Sequence, residues 1–306
     1  MSLFTRIFKG KENRQLAKAG LIQDNTAIFT SWGGNAYAND IYRGAVDAIA
    51  RNAGKLKGTH IVKYGGMKKE AVDQRINRLL QVAPNEYMNS YDLIYKLTTH
   101  YYLYNNAFAF INKDDRGNVQ SIYPVTCTQA DFIADTRGTL YLQFRFKNGS
   151  TATLPYSDIV HLRRDFNSDE LLGDNNEALI PALELAHTQN EGIINGIKSS
   201  ANIRGILKYT QILAPEKLEA EKEKFITDYL SMNNSGGVVV TDPKTEYTPI
   251  NSTVANIDAE QLKTVQTKIY NYLGVTEKIV NSSYDENEYN SFYESVLEPV
   301  CLQLSL

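Results

Sequence analysis

The side chains of this chain that could carry chemistry lie in a few short runs. His161-Leu162-Arg163-Arg164-Asp165 places an imidazole and two guanidinium groups within five positions, a grouping that can bind phosphate. Asp158 and Asp165 flank it, so pairing with neighbouring carboxylates is the simpler expectation. Asp285, Glu286 and Glu288 cluster between Tyr284 and Tyr289. Paired carboxylates are what glycoside hydrolysis uses, but adjacent ones on a Ser- and Asn-rich segment read first as a surface loop. The histidines His60, His100, His161 and His187 stand alone, and Cys127 and Cys301 lack the spacing of a zinc site or a disulfide framework. Both thiols are expected to be buried and inert. The 20 tyrosines could stack bases, although on strands and helix stripes they fill half-buried positions.

Several chemistries are excluded by what the sequence lacks. No Gly-x-x-x-x-Gly-Lys-Ser/Thr loop occurs, nor a His-Glu-x-x-His pair, and Gly33-Gly34-Asn35 has too few glycines in frame for a dinucleotide fingerprint. No enzyme, metal or cofactor is therefore expected. The 32 Lys and Arg against 35 Asp and Glu give a formal charge of −3, too little positive field to grip nucleic acid by counterion release. No apolar run approaches the ~20 residues of a membrane span, Met1 to Lys9 lacks the form of a secretory signal, and Leu3 to Phe8 is so short that fraying or packing on a neighbouring subunit is expected before a surface anchor. A membrane role is not expected.

The elements that would position these residues follow from periodicity. Ile41, Ala45, Ala48, Ile49, Ala53 and Leu56 mark a helix with Asp40 as its cap. Thr59 to Tyr64 reads as a strand; Val72, Ile76 and Leu79-Leu80 read as a second helix stopped by Pro84, and a third runs from a Ser90 cap to Asn105-Asn106. Strands are expected at Ala107 to Ile111, Val119 to Val125, Leu140 to Phe146 and Thr151 to Tyr156, with turns at Asp114-Asp115-Arg116-Gly117 and Asn148-Gly149. The class is α+β, an antiparallel sheet with helices on it.

From Glu177 one apolar stripe, Leu179, Leu183, Ala186, Ile193-Ile194 and Ile197, predicts a long helix carrying Gly192 and Gly196 one turn apart. Strand Gly205 to Gln211, helix Pro215 to Met232, loop Asn233 to Gly237, and strands Val238 to Thr241 and Glu246 to Ile250 form an insert. Leu262, Val265, Ile269, Tyr272 and Leu273 restore a helix that Gly274 ends. A polar stretch, Glu277 to Asn287, precedes a helix from Tyr289 to Leu306 interrupted at Pro299.

The order of these features resembles the tailed-phage portal proteins of the HK97 type. Arg43 to Leu56 looks like the family's opening helix, with Lys57 where proline is common. Asn105-Asn106-Ala107-Phe108 resembles its Gly-Asn-Ala-Tyr, since Asn tolerates the left-handed conformation Gly would supply. Asp158 to Arg163 resembles its Asp-Ile-Ile-His-hydrophobic-Arg segment, and Gly173 to Pro181 its Gly-x-Ser-Pro-Leu region. Gly205-Ile206-Leu207 and Glu246 to Ile250 resemble the strands bracketing its clip. Gly274-Val275 resembles its Gly-Val-Pro, with Thr276 in place of proline.

The resemblance implies a portal fold in order: an N-terminal arm (1–39), an α+β wing (40–176), a first stem helix (177–203), a small β-α-β clip (204–251), a second stem helix (252–275), a tunnel loop (276–288) and the start of a wing or crown helix (289–306). The family's chains continue past Pro299 into a further helical region; this sequence stops at Leu306, which reads either as a shortened or degenerate copy or as a trimmed chain. Twelve subunits would form a cyclic homo-oligomer at one capsid vertex of the virion, assembled in the bacterial host cytoplasm. Double-stranded DNA would pass non-specifically during packaging and ejection, and the terminase large subunit, head-tail adaptor, and major capsid protein or scaffold would dock. By position, channel residues would be Lys198, Lys263, Lys268, Thr276, Lys278, Asn281, Ser282, Ser283 and Tyr284. Gly192, Gly196, Ile193, Ile197, Val265 and Ile269 would face the neighbouring subunit, and Lys217, Glu221, Lys224 and Asp228 would face terminase or adaptor. The alternatives are a stand-alone α+β module binding nucleic acid or peptide through Arg163-Arg164, and a hydrolase using Asp285 to Glu288.

Overall fold

In the computed structural model, which describes residues 36–64, 67–70, 74–202, 205–209, 217, 219, 220, 223, 245–249 and 259–305, the first helix is α1 (Asp40–Ala53). Asn39, not Asp40, caps it: the Asn39 side chain accepts from the Tyr42 amide at 3.0 Å, while Asp40 adds negative charge to the first turn. Strands β1 (Ile61–Tyr64) and β2 (Met67–Glu70) form an antiparallel hairpin before α2 (Gln74–Gln81). Helix α3 (Ser90–Tyr104) is again capped one residue earlier than expected. Asn89 accepts from the Asp92 amide and Asp92 from the Asn89 amide, a reciprocal box, while Ser90 Oγ donates to the Gln81 carbonyl and ties α3 to α2.

Six strands follow: β3 (Asn106–Lys113), β4 (Val119–Val125), β5 (Gln129–Ala134), β6 (Leu140–Arg145), β7 (Thr151–Pro155) and β8 (Ile159–Arg163). They make two antiparallel three-stranded sheets, ordered β4-β3-β8 and β5-β6-β7. Strand β5 escapes a reading of the sequence because its inward positions begin with the small Ala130, which hides the alternation that Phe132 continues. Its hairpin turn repeats that of β3–β4. Asp114 Oδ1 accepts from the amides of Arg116 and Asn118, and Asp135 Oδ1 from those of Arg137 and Thr139, with Gly117 (φ +82°) and Gly138 (φ +81°) closing the loops.

Strand β3 divides two hydrophobic cores. Its small residues Ala107 and Ala109 lie in a cluster with Tyr42, Val46, Ile49, Leu97 and Leu162; its large ones, Phe108 and Phe110, lie in a second with Phe132, Leu142, Phe144 and Leu154. Small side chains let the helices approach one face, and aromatic ones fill the wider gap between sheets.

The molecule has two units, Met1–Ala186 with Lys263–Leu306, and His187–Leu262. Helix α4 (Ile180–Asn202), preceded by a 3-10 turn at Glu177–Leu179, begins in the first unit and continues in the second. In the second, β9 (Gly205–Tyr209) pairs antiparallel with β10 (Thr245–Pro249), and Lys217, Glu219, Ala220 and Glu223 are helical and exposed. The rest of the expected helix Pro215 to Met232, the loop Asn233 to Gly237, the strand Val238 to Thr241 and arm residues 1–35 lie outside the described residues. Helix α5 (Ala259–Leu273) returns the chain to the first unit and ends at Gly274 (φ +74°).

The segment after it is ordered into short helices, α6 (Glu277–Val280) and α7 (Glu286–Phe292), where a polar loop was expected. The last helix is not interrupted at Pro299. A π-helical turn, Tyr293–Leu297, joins α7 to α8 (Glu298–Leu304), so the missing amide of Pro299 falls in the first turn of α8, where no intrahelical partner is needed.

Candidate functional site

The acidic cluster is helix-capping machinery. Asp285 Oδ1 accepts from the Glu288 amide at 2.8 Å and Glu288 Oε2 from the Asp285 amide at 3.0 Å, and the other Glu288 oxygen pairs with Lys278. That hydrogen bond holds the Glu288 carboxyl below its ordinary range and the Lys278 ammonium above its own. Both carboxylates are thus occupied in fixing the start of α7. Tyr284 stacks on Tyr289 with ring centroids 5.2 Å apart.

The remaining channel candidates lie around this capped turn. Thr276 is the N-cap of α6, its hydroxyl facing the Ile279 amide at 3.5 Å. Asn281, Ser282 and Ser283 are exposed, and Ser282 takes a left-handed conformation (φ +58°). Lys263 and Lys268 are exposed on α5. Lys198 is in α4, its side chain outside the description.

Two expected interface residues are corrected. Val265 and Ile269 are 3% and 0% exposed in the chain's own core, among Leu183, Ala186, Leu273 and Val296. An apolar stripe marks what must be buried without saying whether the cover comes from the same chain. Gly192 and Ile193, by contrast, are respectively exposed and half-buried on α4; Gly196 and Ile197 are helical, with undescribed side chains. Of the clip residues, Lys217 is exposed and helical, while Glu221, Lys224 and Asp228 lie outside the described residues.

The His161 to Asp165 run is built into a polar junction. Nε2 of His161 lies 3.0 Å from Asn106 Oδ1 and Nδ1 lies 3.1 Å from the Tyr156 hydroxyl, with the ring stacked on Phe108. Burial, seconded by the Arg163 charge, pushes its pKa down to about 3, so the imidazole is neutral. Arg163 donates to the Leu171 carbonyl and covers the Phe166 ring at 4.2 Å. The Arg164 side chain is only 15% exposed and donates to the Tyr272 carbonyl and Asn105 Oδ1, at 2.9 and 3.3 Å. Asp165 pairs with it at 3.5 Å, whereas Asp158 pairs with Lys113 at 2.7 Å and not with the basic run.

The side chains around this junction are ones that sequence reasoning did not assign to it. Asn105 takes the left-handed conformation (φ +52°) that ends α3. Asn106 donates to the Gly173 carbonyl and accepts from its amide, at 3.0 and 2.9 Å. Burial raises the Cys127 thiol to about 12. Among the described residues no group of three or more His, Cys, Asp or Glu could hold a metal, and no helix is long and apolar enough to cross a membrane.

The family model described as phage portal protein matches residues 41–305. No curated protein matches the chain. Among solved structures, a chain in the neck of a native gene transfer agent particle, computed with C12 symmetry, is 15% identical with a TM-score of 0.68, over 89% of this chain and 76% of that one. An HK97 family phage portal protein from Corynebacterium diphtheriae is 10% identical with a TM-score of 0.54, over 90% and 88% of the two chains. At these identities the likeness is one of fold.

Proposed function

Because this chain belongs to the phage portal protein family, whose members are structural rather than enzymatic, we propose that it forms the ring at one capsid vertex through which genomic DNA is packaged and ejected. The observation that carries the reading is the extent of the family match, which spans the first unit's folded core, α4, the β9–β10 pair and α5 through α8. The C12 symmetry of the gene transfer agent neck supports twelve copies. α4 and α5 are the stem helices beside the channel, with Gly192 and Ile193 toward the neighbouring copy and Lys263 and Lys268 toward DNA. The exposed Thr276, Asn281, Ser282 and Ser283 form the polar rim after the stem; Lys278, held by Glu288, is less free to grip phosphate. Lys217 and the residues around it meet the terminase large subunit and then the head-tail adaptor, and the first unit meets the major capsid protein or scaffold. A mildly negative chain suits a conduit, because many phosphate contacts would hold the polymer instead of letting it slide.

The binding-module alternative is not favoured, since both guanidinium groups on which it relied are engaged within the chain. Negative-stain images of the purified protein should contain annular particles with a central hole, and solution mass should be a large multiple of 34.4 kDa. A strictly monomeric species at high concentration would overturn the reading.

A further inference from the structure

We propose that Arg164 is the positioning residue that anchors the roots of both stem helices, so that α4 and α5 are held or released together. The inference rests on the assignment of those helices as the stem. Arg164 follows β8 and enters a space bounded by two aromatic rings: its guanidinium carbon lies 5.1 Å from the Tyr102 centroid and 4.9 Å from that of Tyr272. Tyr102 is in the last turn of α3 and Tyr272 in the last turn of α5.

The fork of the guanidinium then divides its donors. One nitrogen reaches the Tyr272 carbonyl, at the negative end of α5, and another reaches Asn105 Oδ1, just past the end of α3. A charged donor at a helix C-terminus satisfies a carbonyl left over by the helix and fixes where that helix ends.

The root of α4 is tied to the same ring. The Tyr272 hydroxyl donates to Asn176 Oδ1 at 2.7 Å, and the Asn176 amide donates to the carbonyls of Tyr102 and Leu103 at 3.1 and 3.0 Å. Asn176 immediately precedes the turn that opens into α4. Tyr272 therefore faces Arg164 with its ring and carbonyl, and its hydroxyl reaches the α4 root as well as the Arg164 and Asn105 side chains. A lysine could supply the charge but not a planar fork that donates twice beside two aromatic rings.

Hydrogen exchange on the full-length protein tests this with two variants. Arg164→Lys should speed exchange about tenfold or more at amides of both 177–183 and 269–275, with α1 and β6 within about twofold of wild type. Tyr272→Phe removes the hydroxyl but keeps the ring and the carbonyl that Arg164 holds, and should loosen 177–183 more than 269–275. Unchanged roots, loss confined to one root in Arg164→Lys, or an even rise across the first unit would overturn the proposal, as would an unaltered α4 root in Tyr272→Phe. Exchange reads the anchor whether or not rings form, so failure to see rings counts against the conduit and leaves this result separate.

Discussion

Asn106 shows how one side chain can join four segments. Its amide spans the backbone of Gly173 in both directions, its oxygen faces His161 Nε2, and its nitrogen also donates to the Tyr104 carbonyl. Because that oxygen can only accept, the His161 proton sits on Nε2 and Nδ1 accepts from Tyr156. His161 is thus neutral when folded and basic when unfolded. Its folded pKa lies below its unfolded one near 6.5, so stability present above that value is lost as pH falls toward 3. His100, pushed down to about 4 chiefly by burial, acts in the same direction. Between pH 6.5 and 5, His161 alone should remove up to about 2 kcal/mol, and His161→Gln should lower the urea midpoint at pH 7 yet flatten its dependence on pH. A wild-type midpoint that does not move over this range would contradict the assignment. Gly173 is placed by the same cradle: a Cβ there would lie 2.1 Å from the Arg164 carbonyl oxygen and 2.5 Å from that of Asn105. Backbone cannot yield as a side chain end can, so Gly173→Ala should cost roughly 3 kcal/mol in chemical unfolding, and a loss near zero would show the cradle is soft.

At the scale of elements, the cap of α7 offers the cleanest perturbation. Asp285→Ala removes the acceptor for the Glu288 amide and should cost about 1 kcal/mol, while Asp285→Asn should retain most of the stability; equal losses in thermal unfolding would exclude a capping role. The sequence signalled this helix start through Asp285 and Glu288 three residues apart, yet the Ser- and Asn-rich context favoured a loop reading. Other errors have the same local character. Asn39-Asp40 and Asn89-Ser90 each present two competent caps side by side, and backbone geometry selects the first. Turns with a required left-handed residue, Asn105, Gly117 and Gly149, were legible because few residue types tolerate that conformation. The junction around Arg164 was not, since its partners Asn105 and Tyr272 are 59 and 108 positions away and no periodicity connects them.

At the scale of the whole molecule, the first unit is discontinuous in sequence, and its helical core is completed from both sides of the second. Leu183 and Ala186 precede the second unit; Val265, Ile269, Leu273, Val275, Ile279, Leu297 and Val300 follow it, and all share one cluster with α1 and α3. Polar links span the same gap in sequence: Gln303 accepts from the Arg163 amide at 2.8 Å and donates to its carbonyl at 2.9 Å, besides the Arg164 and Asn176 bonds to Tyr272. Burial of a fully enclosed Leu or Ile side chain is worth about 1.5–3 kcal/mol, so the C-terminal piece is held by many times the thermal energy without covalent continuity. A chain cut once within residues 187–262 should therefore stay together in native size-exclusion chromatography and come apart only in denaturant. Removing the Gln303 clamp by Gln303→Ala should lower the denaturant concentration at which the pieces part. Fragments that separate under native conditions would mean that the start of α4, the end of α5 and the closing helices hold their places only through the chain between them.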